Sequence, residues 1–169
     1  VIATNGLTFK CENIQVSGVT SNPSESQITM HPTFSGCTAW GQPWQFATAG
    51  CDFVLGAEGT FSIACEPSHQ ITLSSPVSGC TITIPGQVPF NNVVQFTNQG
   101  IKTVREVLVN ELIGDETKAH TAGAKSRFTY VSTGGICGAS GENGAVRGTL
   151  LLKAFANSAL TVQQGLWVG

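Results

Sequence analysis

The stretch CDFVLGAEGTFSIAC, residues 51–65, decides the fold class. Cys51-Asp52-Phe53-Val54-Leu55 and Thr60-Phe61-Ser62-Ile63-Ala64-Cys65 are two runs rich in β-branched and aromatic residues. They flank Gly56-Ala57-Glu58-Gly59, a short turn bounded by glycines, and such a pair reads as a β-hairpin. Moving outward, Ile71-Thr72-Leu73 and Thr81-Ile82-Thr83-Ile84 flank Ser-Pro-Val-Ser-Gly and predict a second hairpin. Leu7, Phe9 and Cys11 alternate with polar residues, then Ile14 and Val16, then Ile28 and Met30. Period-two alternation of this kind places one face of a strand in a core.

Further strands are expected over Val93 to Thr97, Arg127 to Val131, Val146 to Phe155 and Leu160 to Val168. Residues 101–113 read as strand because of their β-branched content. A short helix is the alternative, since Ile101, Val104, Leu108 and Leu112 also fit a helical stripe. Residues 114–125 read as a polar loop and 134–148 as a glycine-rich loop around Cys137. Many short strands separated by Gly, Pro, Asn and Ser predict an all-β chain. The expected architecture is a disulfide-stapled β-sandwich of two packed antiparallel sheets. With 169 residues the whole chain is expected to be one domain, 1–169, with a real core.

Six cysteines, Cys11, Cys37, Cys51, Cys65, Cys80 and Cys137, accompany a single Met. None forms a C-x-x-C pair, so zinc spacing is absent and no metal or cofactor is expected. An even number at wide spacing predicts three disulfides and an oxidising, extracellular compartment. Spacing alone does not choose the connectivity. The chain starts at Val1 rather than Met, as a trimmed secreted product would. No stretch of about 18 apolar residues occurs, so no membrane span is expected.

Catalytic signatures are missing. His31, His69 and His120 are the imidazoles, and none sits in a motif. Cys137-Gly138-Ala139-Ser140-Gly141 lacks the G-x-S-x-G pattern of a nucleophilic serine. Asp52 and Glu66 each follow a cysteine on the hairpin and would be neighbours, yet such carboxylates are usually just solvated. Asp115-Glu116 stand among few other calcium ligands. No catalytic residue is therefore assigned. One aromatic constellation remains, Trp40, Trp44 and Phe46 in CTAWGQPWQF (37–46). Exposed, Trp40 and Trp44 would stack on sugars or partners; folded back, they would cover one end of the core.

The charge map is the strongest functional clue. Only 11% of residues are charged, against about 25% in typical domains. Net charge is −2 and no basic patch offers itself to nucleic acid. Ser26 to Cys51, Pro67 to Ile101 and Ala154 to Gly169 hold no Asp, Glu, Lys or Arg, while charge crowds residues 102–127. Uncharged strands desolvate at low cost and lack the usual guard against edge pairing. Both termini are also charge-free and β-prone. Val1, Ile2, Leu7 and Phe9 at one end, and Leu160, Val162, Leu166, Trp167 and Val168 at the other, are candidate assembly strands. The expectation is an extracellular structural subunit whose partner is itself, as a filament or surface layer. The alternatives are a monomeric module binding glycans or surfaces through Trp40 and Trp44, and a hydrolase with an unrecognised site.

HPTFSGCTAWGQP (31–43), AGCDFVLGAEGTFSIAC (49–65), SGCTITIPGQ (78–87), YVSTGGICG (130–138) and the closing GLWVG resemble secreted cysteine-containing β-rich proteins of soil actinobacteria. The resemblance spans most of the chain as a pattern of cysteine, glycine and aromatic placements. It implies a fold rather than an activity, transfers no functional residues, and implies strand over 101–113. The charged segment 114–125 departs from it.

Overall fold

In the computed structural model the described residues are 2–4, 7–20, 24–91, 93–101, 104–113, 127–134, 137–156, 159–160, 163–164 and 166–168. They are all-β, with no helix: two antiparallel sheets share one core as a β-sandwich, and Ala154–Phe155 with Gln163–Gln164 and Trp167–Val168 with Ser24–Glu25 form two separate two-stranded pairs. The smaller sheet has five strands in the order Gln87–Phe90, Thr60–Cys65, Cys51–Gly56, Gln27–Ser35, Asn13–Ser17. The larger runs Val94–Ile101, Val104–Ile113, Gly141–Leu152, Phe128–Thr133, Thr81–Ile84, Ile71–Ser74, Gln42–Ala47, Cys37–Ala39. Ile2–Thr4 pairs with both Gly141–Leu152 and Leu7–Phe9. The next residue, Lys10, exchanges two backbone hydrogen bonds with Thr38, at 2.9 and 2.8 Å. Through that bridge the larger sheet closes on itself.

Both expected hairpins form, with Cys51 opposite Cys65 and Ile71 opposite Ile84. The helix held open for 101–113 does not. Val104–Ile113 is a strand with partners on both sides, Val94–Ile101 and Gly141–Leu152. Two ladders satisfy its backbone while β-branched side chains suit the pleat. The glycine-rich loop expected over 134–148 is also corrected, because Gly141–Leu152 is a twelve-residue strand. Glycine weakens a strand unless something packs over the bare backbone. Here the Phe128 ring does so at Gly144, where a Cβ would lie 2.3 Å from it. The polar loop expected over 114–125 lies outside the described residues.

Alternation builds the core. Phe53, Leu55, Phe61 and Ile63 from the smaller sheet are buried, as are Ile71, Leu73, Ile82, Ile84 and Phe128 from the larger. A chain of aromatic contacts crosses between the sheets: Trp44 to Phe9 at 4.8 Å, Phe9 to Phe46, Phe46 to Phe34 at 5.2 Å, Phe34 to Phe53, Phe53 to Phe61. Each buried aromatic of this kind contributes about 1.5–3 kcal/mol through area removed from water.

All six cysteines are paired, as Cys11–Cys37, Cys51–Cys65 and Cys80–Cys137. Cys51–Cys65 joins directly opposed residues of neighbouring strands, and Cys11–Cys37 sits one residue beyond the Lys10–Thr38 bridge. The flanking bonds, Glu12 N–H to Gly36 O and Glu66 N–H to Gly50 O, mark both as non-hydrogen-bonded positions. Facing residues approach most closely at such positions, which suits a disulfide.

The chain changes sheets at Pro85-Gly86, between Thr81–Ile84 and Gln87–Phe90. Pro85 has no N–H, and the Thr81–Ile84 pairing with Phe128–Thr133 covers only Val131 to Thr133. The Gln87 side-chain amide takes over the missing ladder. Its Oε1 accepts from the Thr129 backbone N–H at 3.1 Å, and its Nε2 donates to Thr129 Oγ1 at 3.0 Å and Pro85 O at 2.9 Å. Gln87→Ala is expected to cost about 1–3 kcal/mol in denaturant unfolding, because Thr129 N–H loses its partner at a half-buried site. A loss within about 0.5 kcal/mol would show that water replaces the amide there.

Candidate interaction surface

Five strands of the larger sheet, Cys37–Ala39, Gln42–Ala47, Ile71–Ser74, Thr81–Ile84 and Phe128–Thr133, contain no Asp, Glu, Lys or Arg. Because Ile71, Leu73, Ile82 and Ile84 point inward, the alternate positions point out. Register aligns them in two rows across four strands: Ala47, Thr72, Thr83, Val131 and Gln45, Ser74, Thr81, Thr133. The outward residues of the smaller sheet form similar rows, Ser17 with His31, Gln15 with Thr33, and Thr29 with Val54 and Ser62. Asp52 is the one ionisable acid in that sheet's five strands, and its carboxylate pairs with His31 Nδ1 on the neighbouring strand. That pair is ionic when the imidazole is protonated.

Charge among the described residues lies elsewhere. Lys10, Glu12, Glu58, Glu66, Arg127 and Lys153 sit at turns and connections and Glu25 in the short strand Ser24–Glu25, while Arg105, Glu106, Glu111, Glu142 and Arg147 belong to the wing made by Val94–Ile101, Val104–Ile113 and Gly141–Leu152. The charge-free runs of the sequence thus become two sheet surfaces of Ser, Thr, Gln and small apolar groups.

The two tryptophans separate. Trp44 is 6% exposed, edge-on to Phe9, and offers no stacking face. It shares the inward parity of Phe46 on Gln42–Ala47, a signal present in the spacing of PWQF. Trp40 is 62% exposed at the tip of the hairpin between Cys37–Ala39 and Gln42–Ala47. Trp40 and Gly41 have φ of 51° and 73°, the two left-handed positions of a tight I′-type turn. Glycine adopts this conformation freely, whereas a bulky L-residue there is strained. The Ser75–Gly79 turn, with Val77 66% exposed, leaves the same end of the sheet, since Gln45 faces Ser74.

The candidate assembly strands are occupied within their own chain. Leu7 and Phe9 are buried in the core, and Ile2 lies opposite Phe9 and Val146. Leu166 is buried, and Trp167–Val168 pairs in parallel with Ser24–Glu25. Leu160 is exposed, while Val1 and Val162 lie outside the described residues. Ile2–Thr4 and Trp167–Val168 therefore each have a pairing partner within the chain.

The residues weighed for chemistry do not come together as a site. Asp52 faces His31, whereas Glu66 lies 3.7 Å from His69 in the following turn. Ser140 Oγ accepts the Ser132 backbone N–H at 2.9 Å and so caps a strand. No three His, Cys, Asp or Glu among the described residues are placed to hold a metal, and no helix there is long and apolar enough to cross a membrane. Comparison with protein families, with curated proteins and with solved structures finds no match to this chain.

Proposed function

We propose that the protein is an extracellular structural subunit that associates with copies of itself through its uncharged sheets, by their faces or their open edges, as a filament or layer. The observation that supports this is the sorting of charge: ten strands hold one acid, Asp52, and no Lys, Arg or Glu. Covering such a surface strips water from no isolated ion. A monomer that relied on charge for solubility would mix both signs over these faces. Three disulfides suit an oxidising compartment. Sedimentation and negative-stain imaging are expected to show concentration-dependent assemblies, and a strict monomer at millimolar concentration would overturn the reading. Association through uncharged faces should also change little between low and high salt. A steep salt dependence would move the contact to the charged wing.

A second reading has its own observation, the strained and exposed Trp40. The hairpin that carries it, Cys37–Ala39 with Gln42–Ala47, holds no Asp, Glu, Lys or Arg, so a neutral polysaccharide could stack on the ring. Trp40→Asn is expected to raise stability by about 0.5–1 kcal/mol, because asparagine tolerates the left-handed region, while abolishing retention on neutral glycans. Unchanged retention removes this reading.

A further inference from the structure

The two main sheets have four end strands, and their outer backbone groups are managed differently. Cys37–Ala39 is closed by the Lys10 bridge. Gln87–Phe90 contains Pro89, and its pairing with Thr60–Cys65 is irregular between Gln87 and Phe90. Proline and an irregular register both blunt an edge. Val94–Ile101 adjoins a strand that brings Glu111, Glu106 and Arg105 opposite Val94, Gln99 and Gly100. Asn13–Ser17 has none of these guards. Its sequence, NIQVS, lacks charge, proline and glycine. It pairs with Gln27–Ser35 in unbroken register over five residues, and that neighbour is also free of Asp, Glu, Lys and Arg. No described strand pairs with its outer side. A regular, uncharged, one-sided strand is a template for another strand.

We infer that the occupant of this edge is the same edge of a second copy, paired antiparallel about a two-fold axis at Gln15. The assignment rests on the self-association proposed above and gives it a contact. An axis at Gln15 sets Ile14 opposite Val16 and Asn13 opposite Ser17. Half-buried β-branched residues then continue the inner side, and exposed polar residues the outer. A one-residue slip in the pairing sets each apolar side chain against a polar one on the wrong face. Moving the axis to Ile14 brings Glu12 opposite Val16 and so introduces charge. The two-fold contact is isologous and joins two five-stranded sheets into one continuous sheet.

The test uses the full chain in three variants. Gln15→Lys sets like charges face to face across the axis. Its dissociation constant is expected to rise on the order of tenfold or more, with the unfolding midpoint unchanged because Gln15 is exposed. Gln15→Cys is expected to form a covalent dimer under mild oxidation, whereas Val88→Cys, exposed on the proline-bearing edge, is not. If the wild type associates but Gln15→Lys associates equally, or Gln15→Cys forms no covalent dimer, this contact is overturned and self-association stands. Equal cross-linking at Val88 overturns it as well. A wild type that never associates overturns the self-association reading and this contact with it.

Discussion

Replacing Cys80 and Cys137 together by alanine is expected to lower stability by about 4 kcal/mol, the largest loss among the three disulfides. The bond closes a loop of 57 residues in sequence, against 26 for Cys11–Cys37 and 14 for Cys51–Cys65. A cross-link removes more freedom from the unfolded chain when the loop is longer, so about 3.5 and 3 kcal/mol follow for the other two. Cys80 and Cys137 are also both 1% exposed, so truncation leaves space in the core. The bond ties the connection before Thr81–Ile84 to the loop after Phe128–Thr133, strands that are neighbours in space and distant in sequence. Urea unfolding of the three double mutants would give the order directly. A smaller loss for Cys80/Cys137 than for Cys51/Cys65 would refute the loop-length argument.

The second large effect is expected at Trp44. Trp44→Ala should cost about 3–5 kcal/mol, the range for removing a large aromatic side chain from a packed core. The residue sits at the head of the aromatic chain that crosses the sheets, edge-on to Phe9 and directly opposite Cys37 in register. Its loss therefore loosens the N-terminal strand and a disulfide neighbour together. The loss is read from the unfolding midpoint and slope. A change below about 1 kcal/mol would mean that the cavity refills and that Trp44 is not a core anchor.

The contrast between Trp40 and Trp44 shows where sequence stops. They stand four residues apart in one aromatic run, which reads either as an exposed stacking pair or, folded back, as a cover over one end of the core. The turn at Trp40-Gly41 takes one residue out of the pleat and leaves the other in it. Trp44 then follows the inward parity it shares with Phe46, and Trp40 does not. The termini are similar. VIATNGLTF and ALTVQQGLWVG read as free β-prone strands, yet Ile2–Thr4 and Trp167–Val168 each have a partner inside the chain. Composition shows that a segment pairs well; it does not show with what. Asn13–Ser17 was visible as an alternating run around Ile14 and Val16, but nothing in those five residues marks them as the end of a sheet.

By itself the sequence determined the all-β class, the two hairpins, the six cysteines and the uncharged runs. These are local properties: alternation within a strand, turn residues between strands, and the absence of ions along a segment. Only the tertiary structure decided which cysteines meet, that Gly141–Leu152 is a strand held at Gly144 by the Phe128 ring, and that Gln87 completes the ladder at the corner. It also decided which edges are closed and which stay open. Those outcomes depend on contacts between residues tens of positions apart, and no local pattern encodes the register of a distant partner.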